Sequence, residues 1–465
     1  MSLLALSGTN SVSGGYEIGN SLKLEDDNEE GMAKNFTGDG DRRTWTYSTW
    51  VKRTEITGSD SFHLFGASYS NIQFMTNDLL RVELYDGSNT RYADLNRVFR
   101  DTSAWYHIVV ALDSTQSTAA DRVKIYINGV QDTSFNNSTY TNMSQNDQFD
   151  FGSASANYQF GYYFAGGSND RRFCGYVAET HYVNGTALDE TSFGEFDNNG
   201  IWIPKEYTGS HGSKGFYFKF DDSSNLGKDS ASSGIGDFTL TNISAADQAV
   251  DTPTNNFCVI NAINLSTQTL TQGATKIVST DNTSRTSFGT IAVSKGKWWW
   301  EGKIQVYESN TTYPCIGVTG DLDNPPATSA QLWKGNHVIK LAKAQKWVTN
   351  DTGYSYGTAY ADNDIINIAL DMDNHIMYTY KNGTIDDASG INFSSQSAAT
   401  SDDFYIPINL VYVTGGGSSW EMNFGGFANY TISSGASDAN GYGTFEYAPP
   451  SGYYALCTKN LAEYG

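Results

Sequence analysis

The sequence predicts an all-β fold made of two tandem antiparallel β-sandwiches, and three observations support this. Each half carries the same phrase, a strand that ends in Ala-Leu-Asp followed by a strand that ends in Asn-Gly, at residues 105–129 and 365–383. Asn-Gly favours tight turns with positive φ between antiparallel strands. The 30 Tyr, 24 Phe, 46 Gly and only 8 Pro suit many strands joined by glycine turns. Apolar residues at helical spacing are scarce, so the repeated phrase predicts one sandwich in each half.

The charge and the cysteines exclude several classes of protein. The 51 carboxylates outnumber the 29 Lys and Arg residues, which gives a net charge of −22. Such a balance argues against a nucleic-acid partner and against docking on an anionic membrane, and solubility is its simplest role. The four cysteines are too widely spaced for a zinc site or a disulfide framework, so we expect core thiols. The chain opens without a basic region and has no apolar run of about 20 residues, so neither a signal peptide nor membrane insertion is expected.

Residues 1–205 are predicted to form the first sandwich. Residues 43–51 alternate aromatic and polar side chains over a full strand, and residues 105–113, 123–129 and 173–183 supply further strands. These motifs, together with Gly-Tyr-Glu near the start, resemble the laminin G-like, concanavalin A-like jelly rolls. The resemblance implies two antiparallel sheets packed face to face.

Residues 206–257 are predicted to form a partly ordered connector. Gly and Ser are frequent here, as in loops. The segment Gly-Phe-Tyr-Phe-Lys-Phe at residues 215–220 alternates like a strand, which is why order is expected in part. A fully flexible linker is the alternative.

Residues 258–465 are predicted to form the second sandwich. The segments at residues 297–304, 315–319, 365–373 and 380–383 resemble a SPRY domain in order and spacing. Residues 404–411 and 420–426 resemble its last strands. One departure is Asn374-His375, where that family usually turns on Asn-Gly or Asp-Gly. The variable loops match no family pattern, so no ligand residue is carried over.

The order of the two modules resembles virion appendage proteins of tailed bacteriophages. That resemblance implies a structural protein of the virion, a tail fibre or another appendage, made in the host cytoplasm. It also implies partners: other virion proteins, copies of the same chain, and a host cell-surface glycan. Two alternatives stay open, a capsid decoration or cement protein without a ligand, and a polysaccharide-degrading enzyme.

Enzymatic activity is not expected from the candidate motifs. Residues 25–29 match the Glu-x-Asp-x-Glu spacing of concanavalin A-like glycosidases, in which one carboxylate is the nucleophile and another the acid/base. The intervening residues are polar rather than apolar, so an acidic turn is predicted. No pair of histidines has metal-ligand spacing, and no cofactor is expected. Calcium is an open alternative at residues 321–324 and 362–364, although Asp and Asn also favour turns for backbone reasons.

A ligand-binding surface is predicted in the loops of the second sandwich. Aromatic side chains there could stack on a sugar while their polar tips reach water. The candidates are Tyr313, Trp333, Tyr354 and Tyr356. For the Trp triplet at residues 298–300, alternation instead predicts core packing of at least one face.

Overall fold

The structure is a computed structural model, and it describes residues 15–56, 61–165, 168–265, 268–279, 285–305, 314–321, 335–348, 353–396, 398, 403–411 and 418–465. The chain forms two compact units, one that ends at Thr254 and one that extends from Asn255 to the last residue. Both units are built almost entirely of antiparallel strands. The predicted all-β fold with two tandem sandwiches is confirmed.

The first unit has these strands in its described residues: β1 Ser21–Leu24, β2 Gly31–Lys34, β3 Thr44–Arg53, β4 Phe62–Ala67, β5 Ser70–Phe74, β6 Leu79–Tyr85, β7 Thr90–Val98, β8 Tyr106–Asp113, β9 Val123–Ile127, β10 Val130–Gln131, β11 Phe135–Asn137, β12 Tyr158–Phe160, β13 Tyr162–Ala165, β14 Ser168–Arg172, β15 Gly175–Asn184, β16 Gly194–Phe196, β17 Trp202–Pro204, β18 Phe216–Phe218, β19 Thr239–Thr241 and β20 Gln248–Ala249. Short 3-10 turns lie at Ala119–Asp121, Thr139–Asn142, Glu190–Ser192 and Ala245–Asp247.

Two sheets enclose the core of the first unit. The first sheet has the strand order β10-β9-β8-β3-β15-β1-β20, with β18 also paired to β15. The second sheet has the order β11-β7-β6-β5-β4-β12-β2-β19. Strand β3 shows the pattern that builds this core, because Trp45, Tyr47 and Val51 point inward at every second position. Two further hairpins, β13–β14 and β16–β17, pair only with themselves among the described strands.

The predicted boundary at residue 205 and the separate connector at residues 206–257 are wrong. Strand β18 pairs with β15, and Phe216 and Phe218 enter the core between the sheets. Strands β19 and β20 then extend the second and first sheets. The carboxylate of Asp251 accepts hydrogen bonds from Lys52 Nζ at 2.7 Å and Trp105 Nε1 at 3.1 Å. Residues 206–254 therefore complete the first sandwich.

The second unit has these strands in its described residues: β21 Gln268–Thr271, β22 Lys276–Ser279, β23 Arg285–Phe288, β24 Lys297–Gln305, β25 Cys315–Thr319, β26 His337–Leu341, β27 Lys343–Val348, β28 Tyr354–Ala359, β29 Ile365–Asp371, β30 Ile376–Lys381, β31 Thr384–Ile385, β32 Ile391–Asn392, β33 Ile406–Val411, β34 Ser418–Asn423 and β35 Tyr454–Ala455. A 3-10 turn lies at Ala262–Asn264, and a terminal helix α1 covers Thr458–Tyr464.

The two sheets of the second unit enclose an aromatic core. One sheet has the order β21-β22-β34-β24-β29-β30-β31, with β32 on β30 and β35 on β24, and the other has the order β23-β33-β25-β26-β27-β28. Trp298 and Trp300 point from β24 into the core, whereas Trp299 lies on the other face against Tyr380. All three Trp side chains are buried, so the predicted core packing of the triplet is confirmed.

A buried carboxylate fixes the segment that follows β34. Glu301 Oε1 accepts hydrogen bonds from Asn367 Nδ2 at 3.0 Å and from the backbone N–H of Tyr447 at 2.8 Å. Its Oε2 accepts from Asn423 Nδ2 at 3.2 Å, Tyr430 Oη at 3.0 Å and the backbone N–H of residue 446 at 3.0 Å. Five donors on one carboxylate therefore hold residues 430–447 against the sheet.

Candidate functional site

The outward side of the second sheet in the first unit carries polar side chains. Inward residues of strands β4–β7 and β12 are apolar and belong to the core. Successive residues of a strand point to opposite faces, so the alternate positions face away from the core. We call the outward set the polar face: His63, Asn71, Gln73, Arg81, Glu83, Tyr92, Asp94 and Gln159.

The strand register aligns these side chains in rows. One row across the sheet is Tyr92, Glu83 and Asn71, and the next is Asp94, Arg81, Gln73 and His63. Side chains that lie directly opposite on adjacent strands have Cβ atoms about 4.5–5.5 Å apart, so each member contacts its neighbours. The polar face is thus a continuous set of hydrogen-bonding groups, of which His63, Asn71, Gln73, Asp94 and Gln159 are buried.

An ion pair orients one end of the polar face. Arg81 donates to both carboxylate oxygens of Asp94, from Nε at 2.8 Å and from Nη2 at 2.7 Å. Its guanidinium also lies 4.4 Å from the centroid of the Tyr92 ring. Because bidentate Arg–carboxylate pairs have fixed geometry, Asp94 is committed to Arg81 and the Tyr92 ring is held in place.

Asn71 offers an unused acceptor at the centre of the polar face. Its side chain is 1% exposed, and its Oδ1 has no hydrogen-bond partner among the described residues. Its Nδ2 donates to the backbone oxygen of Tyr69 at 3.2 Å. Buried polar atoms are normally paired, so an unpaired oxygen here points to a donor supplied by a ligand or by water.

The β13–β14 hairpin forms a wall on one side of the polar face. The Tyr163 ring lies 5.5 Å from that of His63. Arg171, on the opposing strand, places its guanidinium 5.1 Å from the Tyr163 ring and donates from Nη1 to Gln73 Oε1 at 3.5 Å. Tyr69, which is 56% exposed, and Tyr85 form an edge-to-face pair at 5.2 Å beyond the other end.

Burial sets the protonation of two groups on the polar face. Burial raises the pKa of Glu83 above its usual range, although Arg81 and Arg171 act in the opposite direction. Burial lowers the pKa of His63 to about 3, so its imidazole is neutral near pH 7. With Asp94 paired, Glu83 is the carboxylate of this face that makes no ion pair within the described part of the chain. The face therefore presents acceptors, amide groups and aromatic rings.

Two of the four aromatic residues predicted as a binding surface, Tyr354 and Tyr356, lie within the described residues. Tyr354 lies at the start of β28 and is 53% exposed. Tyr356 lies on the same strand rather than in a loop, and its predicted exposure is wrong because its ring packs into the core beneath Lys346. Tyr313 and Trp333 lie outside the described residues.

The acidic candidates occupy turns. Residues 26–29 form the turn between β1 and β2, and Glu25 is buried at its start, so these carboxylates do not share one face of a strand. Asp364 accepts hydrogen bonds from Asn382 Nδ2 and Lys381 Nζ, both within its own unit. Asp321 accepts the backbone N–H of residue 336, while residues 323 and 324 lie outside the described residues. The described ranges contain no group of three His, Cys, Asp or Glu residues arranged to hold a metal ion.

The polar face was missed by sequence reasoning, although a signal for it exists. Residues 70–74 and 79–85 alternate between apolar side chains and Asn71, Gln73, Arg81 and Glu83. Alternation identifies strands with one apolar side. Amide or charged residues on the other side suggest that this side faces solvent. The register that brings those residues together is not visible in the sequence. Separately, no helix in the described residues is long and apolar enough to cross a membrane.

Comparisons with known proteins agree with the fold. A family described as "Concanavalin A-like lectin/glucanases superfamily" matches residues 26–184, within the first unit. No curated protein matches the chain.

Solved structures with similarity include the SPRY domain of human HERC1, at 13% identity and a TM-score of 0.30, covering 35% of this chain and 96% of that one. A putative carbohydrate binding protein from Bacteroides ovatus ATCC 8483 shows 17% identity and a TM-score of 0.34, covering 49% of this chain and 59% of the other. A SAP-like pentraxin from Limulus polyphemus shows 13% identity and a TM-score of 0.27, covering 37% of this chain and 80% of the other. At these values the similarities carry no information about ligands.

Proposed function

We propose that this protein is a non-enzymatic structural component of a tailed-phage virion that binds host-surface carbohydrate through the polar face. The binding part of the proposal rests on one observation. The polar face joins an unused buried acceptor, Asn71 Oδ1, to a hydrogen-bonding surface bordered by tyrosine rings. Sugars present hydroxyl groups for such acceptors and apolar ring faces for aromatic side chains, so a glycan suits this surface.

The arrangement of carboxylates favours binding over hydrolysis. Glycosidases use two carboxyl groups on opposite sides of the scissile bond, one as an acid and one as a base or nucleophile. On the polar face the bidentate ion pair with Arg81 occupies Asp94, which leaves Glu83 without a second carboxylate to act with. Release of reducing sugars from host capsule by the purified protein would refute this part and support the alternative of a polysaccharide-degrading enzyme.

Binding to carbohydrate is tested by two tyrosine variants. Tyr92→Ala removes a ring that is fixed on the polar face, and we expect about tenfold weaker binding to host-surface polysaccharide, or about 1.4 kcal/mol. Tyr354→Ala is the matched control, because it removes an exposed ring from β28 in the second unit. Affinity electrophoresis through gels that contain the polysaccharide measures both variants. If Tyr354→Ala lost binding and Tyr92→Ala did not, the binding site would have to be assigned to the second sandwich.

The virion role is supported by the order of the two modules in the sequence, and it needs its own test. Mass spectrometry of purified particles should detect the chain, and an electron microscopy map of the particle should place it in a tail fibre or another tail appendage. A position on the head would favour the alternative of a decoration or cement protein. Absence of the chain from purified particles would refute the virion proposal and would leave carbohydrate binding as a separate question.

A further inference from the structure

One arginine beside the polar face lacks an acidic partner. Arg171 makes no ion pair among the described residues, where its contacts are one long hydrogen bond to Gln73 Oε1 at 3.5 Å and the Tyr163 ring at 5.1 Å. Neighbouring arginines of the same unit are paired: Arg81 with Asp94, Arg97 with Asp132, Arg100 with Asp78 and Arg172 with Glu29. Arg91 and Arg122 of this unit likewise make no ion pair among the described residues, so what distinguishes Arg171 is its position beside the polar face.

Arg171 places its positive charge next to the polar face. Its Nη1 reaches Gln73 Oε1, and the Tyr163 ring beneath its guanidinium is itself 5.5 Å from the His63 ring, so the guanidinium lies beside these side chains. The stacked Tyr163 ring limits its orientation. A guanidinium has five N–H donors in a planar fork that matches a carboxylate, and within the described part of the chain one of them makes a hydrogen bond.

We propose, building on the proposed function, that the glycan bound by the polar face is acidic, a polysaccharide that contains uronic acid or another carboxylated sugar. The sugar carboxylate pairs with the guanidinium of Arg171. A neighbouring hydroxyl donates to Asn71 Oδ1, and the sugar ring contacts the tyrosine border. The pairing supplies an ion pair in a partly buried site, where screening by salt is weaker than at an open surface.

The charge of Glu83 gives an independent way to test this inference. Its carboxylate lies on the same face and repels an acidic sugar while it is ionised. Replacing it with Gln removes that charge and keeps an acceptor, so Glu83→Gln should bind an acidic glycan more tightly. For a neutral glycan the same change removes only a strong acceptor and should weaken binding. The two ligand classes therefore respond in opposite directions.

The test compares acidic and neutral polysaccharides of known composition. Polygalacturonate and alginate are the acidic probes, and galactan and dextran are the neutral ones. We expect the wild-type protein to prefer the acidic probes by at least about tenfold, which corresponds to about 1.4 kcal/mol, with binding that weakens as salt is added. Arg171→Gln should abolish the preference, and Glu83→Gln should increase it several-fold. Arg97→Gln, which removes a paired arginine from β7 in the sheet that carries the polar face, should leave it unchanged.

The possible outcomes separate this inference from the proposed function. Preferential binding to galactan or dextran, or an acidic preference that persists in Arg171→Gln, would overturn the acidic assignment and leave carbohydrate binding intact. Failure of the wild-type protein to bind any of the four probes would overturn both. Circular dichroism of each variant confirms that the sheets are retained, since Arg171, Glu83 and Arg97 all lie outside the core.

Discussion

Acidification should destabilise the first unit through its buried neutral histidines. His107 Nδ1 accepts a hydrogen bond from Trp202 Nε1 at 3.0 Å, while its Nε2 lies 2.9 Å from Ser48 Oγ and acts as the donor there. Protonating Nδ1 would break the bond from Trp202. Burial accordingly lowers the pKa of His107 to about 3 from an ordinary value of 6.5, and the pKa values of His63 and His211 are lowered to the same extent.

The size of the effect follows from proton linkage. The unfolded chain binds a proton at each histidine below its ordinary pKa of 6.5, whereas the folded unit does not until about pH 3. Stability is therefore fully present above about pH 6.5 and is lost as the pH falls below it. At about pH 5, each histidine costs about 2 kcal/mol, because one pKa unit corresponds to about 1.36 kcal/mol. His63, His107 and His211 together cost the first unit about 6 kcal/mol at that pH.

Hydrogen exchange with mass spectrometry can measure this loss in the first unit alone. Peptides from β3 and β8 report its opening free energy at about pH 7.5 and about pH 5, after correction for the intrinsic exchange rate. His107→Gln should remove about one third of this pH dependence even if the variant is less stable at both pH values. His375→Gln, in the second unit, serves as the control. Equal pH dependence in the wild type and in His107→Gln would refute the reasoning.

Two further predictions concern stability. Glu301→Ala removes the shared acceptor of five donors and should destabilise the second unit by about 4 kcal/mol or more in denaturant unfolding. The control variant Glu463→Ala, at an exposed position, should change the stability by less than about 0.5 kcal/mol. A loss below about 1 kcal/mol in Glu301→Ala would show that water replaces the carboxylate. Gly129→Ala combines a φ of +77° with a clash between the new Cβ and the Trp202 ring and should cost about 2–4 kcal/mol. Gly87→Ala, at a φ of +94° with open space around it, should cost about 1–2 kcal/mol, and equal losses in the two variants would exclude the ring contact as a cause.

The strands and their tight turns were predictable because their causes are local. Asn128 and Gly129 have φ values of 49° and 77°, and Asn382 and Gly383 have 50° and 75°, as Asn-Gly hairpin turns require. The end of the first sandwich was not predictable in the same way. Its last part, from β18 to β20, pairs with strands far away in the sequence, and Gly and Ser residues between these short strands resemble a linker. His375 adopts a φ of 52° at the position where the sequence departs from Asn-Gly or Asp-Gly, so the turn survives without its usual residue.

The predicted exposure of Tyr356 is wrong for the same reason that the sequence did not reveal the polar face. The type of a residue on a predicted strand does not tell which face of the sheet its side chain points to until the neighbouring strands are known. Tyr356 and Tyr354 are two positions apart on β28, yet one ring is 2% exposed and the other 53% exposed, because the core closes over only one of them. Asn71 and Gln73, by contrast, are each 1% exposed although they point away from the core. Amide side chains on the outward face of a sheet are ordinarily solvated, so their burial indicates that other parts of the unit cover them. The wall formed by Tyr163 and Arg171 supplies part of that cover, and the unpaired Asn71 oxygen beneath it argues for a ligand that supplies the missing donor.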